Sequence, residues 1–319
     1  MHLQLYMGNT CGLRCSYCVS NMHDSKNQRL PLIIDEIGIE KYLEILGKLI
    51  AHNDKIKCIT MTAQGECSES PYFEPILIFL MNETKAQIII QTNLMKITKV
   101  VKALRKVKEH ERIIFVASFH YGIFLDRRME TGKWHNNLKK LSRFKCNFNI
   151  VTPITPKVIE KRQEYYAHLE IMDIDTKGRA TYQPVELSGR YEGKDYPAAY
   201  CDIERMRLVE IMQRTGAWRE SYMPKKNLNK LCTFFKLKGM LCNVNSQTAM
   251  IGINGDITYC QNVPSGTNIR SIPENYQLYD EQPMVCTADL CTCPSYAIEY
   301  CIKFHGHTVD DYYEGKVKP

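Results

Sequence analysis

Long apolar runs are missing from this sequence: none of its 319 residues lies in a stretch approaching the roughly 20 apolar residues that a membrane span needs. A basic N-terminal region leading into an apolar segment is also missing. Met1-His2-Leu3-Gln4-Leu5-Tyr6 leads instead toward Gly8-Asn9-Thr10, so no export signal is read. There is no internal repeat and no low-complexity linker, which argues against solenoids and flexible arrays. Charge of one sign is only weakly in excess: 42 Lys and Arg against 35 Asp and Glu give a formal +7. That balance is compatible with an acidic substrate or with nucleic acid but requires neither. These absences leave a globular protein without a membrane partner, expected to be cytoplasmic.

Cysteine is what the chain has in plenty. Fourteen cysteines, ten of them in two clusters, and no export signal point to metal rather than to disulfides.

Hydrophobic periodicity orders the first half. Residues 3–7 alternate weakly and end in Gly8-Asn9-Thr10, a strand followed by a loop. With Asp35 as N-cap, Ile39, Tyr42, Leu43, Leu46, Leu49 and Ile50 recur at helical spacing. Strands are expected at Ile56–Thr62, Ile88–Ile90, Ile113–Ala117, Phe148–Val151 and Ile171–Ile174. Helices are expected at about 72–82, 96–109, 126–142 and 157–168. Strand alternating with helix argues for a parallel α/β sheet of βαβ units. The pattern fades near residue 178. The expected organisation is a barrel-like unit over 1–178, a connecting segment over 179–230 and a cysteine-rich domain over 231–319, organised by metal more than by an apolar core.

The loop after the first strand holds Cys11, Cys15 and Cys18, spaced C-x3-C-x2-C. A [4Fe–4S] cluster takes one thiolate per iron, so three thiolates in one loop leave one iron open to a small molecule. The competing reading is a zinc site, but zinc favours Cys-x2-Cys pairs and four ligands.

Asn9-Thr10-Cys11-Gly12-Leu13-Arg14-Cys15-Ser16-Tyr17-Cys18 resembles the signature loop of the radical S-adenosylmethionine (SAM) superfamily. The resemblance implies a partial (β/α)6 TIM-like barrel. It also implies a [4Fe–4S] cluster whose open iron chelates SAM, and reductive cleavage of SAM to methionine and a 5′-deoxyadenosyl radical. Tyr17 takes the aromatic position expected near the adenine. Gln64-Gly65-Glu66-Cys67 is similar to the family's Gly-Gly-Glu-Pro motif, with Gln64 and Cys67 departing from it. The resemblance carries Gly65 and Glu66 over as the residues that hold the SAM ammonium. Ser118, in Ser118-Phe119-His120-Tyr121, is the candidate contact to the SAM ribose; a solvated loop is the bland alternative.

Farther on, Cys242 and Cys260 bracket Asn254-Gly255, which reads as a type I′ hairpin turn. The pattern resembles the opening of SPASM and twitch auxiliary-cluster domains. The run that follows, Cys286-x4-Cys291-x1-Cys293-x7-Cys301, departs from the fuller SPASM spacing. At least one auxiliary [4Fe–4S] cluster is expected from Cys242, Cys260, Cys286, Cys291, Cys293 and Cys301. One closed cluster leaves spare thiols; two leave one iron open or held by another ligand. Zinc stays the alternative here as well.

Several residues carry chemistry without a motif. Cys201, Cys232 and Cys67 are candidate hydrogen-atom donors, with a structural or surface thiol as the other reading of each. Arg205, Arg207, Arg214 and Arg219 form either a site for an acidic substrate or a solvated face. His305 and His307 are not read as ligands. The resemblance implies an oxidoreductase or epimerase acting on a C–H bond of a peptide, by crosslinking, epimerisation or oxidation. A sugar or other small molecule is the alternative substrate. Because the chain starts at its first barrel strand, no peptide-recognition domain is expected ahead of it. A flavodoxin or ferredoxin is the expected electron donor, and no nucleic-acid partner is expected. The rival of another class is a noncatalytic zinc protein that interacts with nucleic acid.

Overall fold

The structure is a computed structural model that describes residues 1–18, 20, 31–217, 235–260, 266–273, 275–288, 291 and 297–317. Cys232, Cys293 and Arg219 lie outside the described residues. The first unit runs β1 (His2–Tyr6), α1 (Ile33–Ile37), α2 (Ile39–Ala51), β2 (Cys58–Thr62), α3 (Phe73–Glu83), β3 (Gln87–Thr92), α4 (Thr98–Leu104) and β4 (Ile113–Ser118). It continues with α5 (Tyr121–Asp126), α6 (Gly132–Leu141), β5 (Asn147–Ile154), α7 (Pro156–Glu160), α8 (Arg162–Thr176) and β6 (Ala180–Glu186). Then come the hairpin β7 (Gly189–Tyr191) and β8 (Lys194–Tyr196), and α9 (Asp202–Arg214), which packs on β6. The remainder is β9 (Leu241–Cys242), α10 (Val244–Gln247), β10 (Thr248–Ile251), β11 (Asp256–Thr258), β12 (Thr267–Asn268), β13 (Met284–Val285), a π-helical turn at Ala297–Ile302 and α11 (Val309–Tyr313).

Strands β1 to β6 lie side by side in sequence order, all parallel, with helices crossing between them. That is the parallel sheet of βαβ units expected from the alternation, and the partial (β/α)6 barrel that the resemblance implies. Leu3, Leu5, Ile59, Met61, Ile88, Ile90, Ile113 and Phe115 are fully buried and form one core with Tyr42, Leu46 and Leu49 of α2. Alternation along β1 and β4 produces this, since every second side chain turns toward the helices.

The sequence expectations need correcting in several places. Ile171–Ile174 is not a strand; it belongs to α8, where Ile171 and Ile174 are exposed. The sixth strand is Ala180–Glu186, past residue 178, and Pro184 is tolerated because β6 is an edge strand of the sheet. The helix expected at 126–142 is two, α5 and α6, separated by a turn in which Arg128 has φ +51°. The helix expected at 157–168 is also two. Thr155 caps α7 by accepting from the Val158 N–H at 3.3 Å, Pro156 begins it, and α8 then runs to Thr176. Helix α4 is shorter than expected, and the break before α2 is Gly38 at φ +82°, with Asp35 inside α1. The hairpin near residue 254 is present, but its turn is not type I′: only Gly255 is left-handed, at φ +87°. The Gly255 N–H donates to Gly252 O at 3.0 Å, and Gly252 N–H donates to Asp256 O at 2.8 Å, making a longer loop than a two-residue turn. A Cβ on Gly255 would lie 2.8 Å from Ile269 and 2.9 Å from Ile33, so the close approach also selects glycine.

Strand β10 of that hairpin adds to the barrel sheet, pairing parallel with β1 in the register Leu5↔Ile251. The sheet then has nine strands among the described residues, in the order β12-β11-β10-β1-β2-β3-β4-β5-β6. A second, smaller apolar cluster of Phe235, Leu237, Met240, Cys291, Cys301 and Ile302 lies apart from the main core. No helix among the described residues is long and apolar enough to cross a membrane.

Candidate active site

The loop between β1 and α1 is tied to the barrel by backbone. Gln64 N–H donates to Gly8 O at 3.0 Å, and Glu66 N–H donates to Thr10 O at 2.7 Å. The two loops approach so closely that a Cβ on Gly65 would sit 2.2 Å from the Thr10 carbonyl oxygen, which explains the glycine in Gln64-Gly65-Glu66. From the other side, Arg127 donates to Leu13 O and Arg14 O, each at 2.6 Å. Arg14 itself turns the chain at φ +48°.

This bracing gathers Cys11, Cys15 and Cys18. Cys15 is buried, and its thiol is pushed up to about 12 by burial and then by Cys11 and Cys18 beside it. Burial also raises Cys11, opposed by the Leu13 and Arg14 backbone N–H groups that face its sulfur. The Asn93 amide donates to Cys11 Sγ at 3.7 Å. Neighbouring thiols become thiolates together only when a cationic centre compensates them, and N–H groups already aimed at the Cys11 sulfur suit that state. Among the described residues no three His, Cys, Asp or Glu side chains converge on a single-ion position. The fit of the trio to an iron–sulfur cluster therefore rests on donor chemistry and not on a preformed ion site.

The trio lines a cavity of about 320 Å³ at the C-terminal ends of the barrel strands. That volume is in the range of small-molecule sites, and that end of a barrel is where such sites are built. Glu66 lines it as a 3% exposed carboxylate. Its Oε1 accepts from the Ser68 hydroxyl at 2.6 Å and the Ser68 N–H at 3.1 Å, and its Oε2 accepts from the Asn93 N–H at 2.6 Å. These donors are all neutral, and no described Lys, Arg or His forms an ion pair with it. Burial raises its pKa against the pull of those hydrogen bonds. A cation entering the cavity beside it would recover what desolvation cost.

Tyr17 lies at the cavity with its hydroxyl 3.0 Å from Nδ1 of His120. Burial depresses His120 to about 4 and raises Tyr17 well above its usual value, so both are neutral near pH 7. The ring of Tyr191 packs edge-on against Tyr17 at 6.0 Å. Ser118 also reaches the cavity, at the end of β4, while its carbonyl accepts from the Trp134 indole at 3.2 Å.

Glu186, at the end of β6, is, with Asn93, a cavity residue that sequence reasoning missed. Its Oε2 is buried without a hydrogen-bond partner among the described residues, and burial pushes its carboxyl up to about 7 against the influence of Arg205. It belongs to no motif. The available signal was its place as a carboxylate at the C-terminal end of a barrel strand, visible only once β6 is assigned correctly.

Two of the three candidate hydrogen-atom donors, Cys67 and Cys201, stand elsewhere; the third, Cys232, lies outside the described residues. Cys67 is buried, with its thiol against Gln91 O at 2.8 Å. Cys201 is exposed as the N-cap of α9, where its N–H donates to Glu204 Oε2 at 2.8 Å. Neither lines the cavity.

The described C-terminal cysteines form a second group. Cys301 is pushed up to about 12 by burial, then by Cys242, Cys286 and Cys291. Cys242 is raised to about 11 by burial, with Cys260 and Cys286 adding to it. Five of the six predicted auxiliary ligands are thus neighbours. His305 Nε2 lies 3.0 Å from Leu241 O, the carbonyl that the Cys301 thiol approaches at 3.4 Å.

No family model matches the chain, and no curated protein sequence matches it. Solved structures do. SuiB of Streptococcus suis, bound to S-adenosylmethionine, superposes with TM-score 0.56 at 17% identity, covering 88% of this chain. A structure of SuiB bound to the precursor peptide SuiA gives 0.55 at 16% identity, covering 88% of this chain and 64% of that one. The protein anSMEcpe with bound AdoMet and Cp18Cys peptide gives 0.57 at 14% identity, covering 85% of this chain and 78% of that one. This chain spans 65% of the length of the SAM-bound SuiB chain. At these identities the likeness is one of fold: the chain shares the partial-barrel fold of SuiB and anSMEcpe.

Proposed function

We propose that this chain is a radical SAM enzyme that abstracts a hydrogen atom from a C–H bond of a peptide substrate. The observation that carries the reading is Glu66. It is a buried carboxylate without a cationic partner among the described residues, and it shares one cavity with Cys11, Cys15 and Cys18. SAM carries an ammonium group that such a carboxylate accepts from, and a carboxylate that chelates an iron left open by three thiolates.

When bound, the [4Fe–4S] cluster and SAM supply the reductive cleavage that yields a 5′-deoxyadenosyl radical. The chain's own residues bind and orient. Cys11, Cys15 and Cys18 hold the cluster, and Asn93 donates to the Cys11 sulfur. Glu66 fixes the amino group, pre-set by Ser68 and Asn93. Tyr17, fixed by His120, offers a ring face and edge to the adenine, and Ser118 reaches toward the ribose. The neutral Tyr17–His120 pair adds no charge to the cavity. Cys242, Cys260, Cys286, Cys291 and Cys301 hold an auxiliary cluster, with Cys293 as a further ligand. The peptide-bound forms of SuiB and anSMEcpe support the peptide reading.

The test is anaerobic reconstitution with iron and sulfide, followed by SAM and dithionite. Roughly four irons per cluster and formation of 5′-deoxyadenosine are expected. Glu66→Gln should weaken SAM binding about 10- to 100-fold, the worth of one charge-assisted hydrogen bond. Tightly bound zinc and no deoxyadenosine would sink the reading.

A further inference from the structure

A second hollow, of about 450 Å³, opens on the outside of the barrel between the loop after β2, the start of α4 and α6. Four lysines line it, Lys96, Lys99, Lys133 and Lys140, against one carboxylate, Glu69. Lys96 pairs with Glu69 at 2.9 Å. Lys99 spends its charge on backbone, donating to Glu69 O at 2.8 Å and Ser70 O at 2.9 Å. Lys133 and Lys140 are exposed on α6 and form no ion pair among the described residues. The hollow therefore carries uncompensated positive charge.

Its edge meets the cysteine loop. The Gly12 N–H donates to Glu69 Oε1 at 3.1 Å, and a Cβ on Gly12 would lie 3.5 Å from Lys96 Nζ. Gly12 is exposed and has no side chain, and Cys11 beside it is only half-buried. The Cys11–Gly12 backbone thus meets the edge of the basic surface at the Glu69–Lys96 ion pair, with Glu69 Oε1 3.2 Å from where a Gly12 Cβ would be.

We propose that this lysine-lined hollow is the docking surface for a small acidic electron-carrier protein, which delivers one electron at the Cys11–Gly12 edge. The proposal rests on the radical SAM reading of the cysteine loop. At the surface no bond forms or breaks: a reduced flavodoxin or ferredoxin loses one electron and the cluster held by Cys11, Cys15 and Cys18 gains it. Positive charge on one partner and negative charge on the other set the encounter rate more than the final affinity.

The experiment compares two reductants for deoxyadenosine formation by the reconstituted full chain. One is reduced bacterial flavodoxin regenerated by its reductase and NADPH; the other is dithionite. The double variant Lys133→Glu/Lys140→Glu should lower the flavodoxin-driven rate about tenfold or more at low salt and leave the dithionite-driven rate unchanged. A control with equal charge change on α2, Lys41→Glu/Lys48→Glu, should leave both unchanged. In the parent protein the flavodoxin-driven rate should fall as salt rises toward 0.5 M, because screening shortens the reach of the field. Equal flavodoxin-driven rates in parent and hollow variant, or a salt-independent parent rate, overturn the docking surface. If both reductants fail with the variant, the parent salt profile decides the matter. A parent protein inactive with dithionite defeats the functional reading instead, so the two failures are distinguishable.

Discussion

The two cysteine regions are built in opposite ways. The N-terminal trio sits on a loop clamped by backbone hydrogen bonds to the next loop, by Arg127 from α5's end, and by a contact at Gly65 that admits no side chain. Its walls belong to a core that runs the length of the barrel. The C-terminal group rests on two-residue strands, β9 and β13, and on an apolar cluster of six buried residues, two of them cysteines. One site is shaped by the fold around it. Among the described residues the other has little apart from these short strands, the end of β11 before Cys260 and its thiols to shape it, as small metal-organised domains do. Cysteine density alone therefore says nothing about whether a metal is guest or scaffold.

The largest expected effect tests the first half of that contrast. Cys18→Ala should reduce deoxyadenosine formation to background while far-UV circular dichroism and thermal melting stay close to the parent; a collapsed fold would show that the barrel does depend on the cluster. Next in size is metal removal. Chelation under reducing conditions should open the chain after residue 275 to proteases while the barrel sheet, β10 and β11 included, survives, measured by fragment mass over time. Equal resistance of both segments would erase the distinction.

Gly65→Ala should cost about 2–4 kcal/mol in denaturant unfolding, because the new methyl meets backbone that cannot step aside. An unaffected midpoint would mean that the clamp is loose. The smallest effect concerns Glu186. Its folded pKa is raised, to about 7, so burying its charge penalises the native state above that pH and costs nothing where the group is protonated in both states. Stability withheld by Glu186 thus grows from about pH 4 to pH 7. Glu186→Gln should be more stable than the parent by roughly 1–3 kcal/mol at pH 8 and match it at pH 4. A pH-independent difference would show that the carboxylate finds a partner.

Most of the barrel was legible because β1 to β5 show apolar residues at strand and helix spacing between clear turn signals. The last unit was not. Ile171 and Ile174 read as strand but lie exposed on α8, whereas β6 carries Thr181, Gln183 and Pro184, the profile of a strand with one free edge. Local pattern cannot tell which strand will be the last one. Of the site, the cysteine trio, Gly65 and Glu66 were legible as a motif. Glu186 and the Asn93 donor were not, because their meaning depends on which strand ends meet around the cavity. The hairpin at Asn254-Gly255 was legible too, but its docking on β1 is a tertiary fact, and no spacing in the sequence encodes it.

That docking has a consequence for anyone shortening the protein. β10 covers the flank of β1 that β2 leaves bare, with four residue pairs from His2 to Leu5. A truncation ending before Thr248 would strip that cover and leave unpaired N–H and C=O groups along an apolar ribbon, an invitation to stack with another molecule. The barrel's solubility is thus entrusted to residues 246 positions away (His2 to Thr248), and a minimal catalytic fragment should keep everything through Thr258.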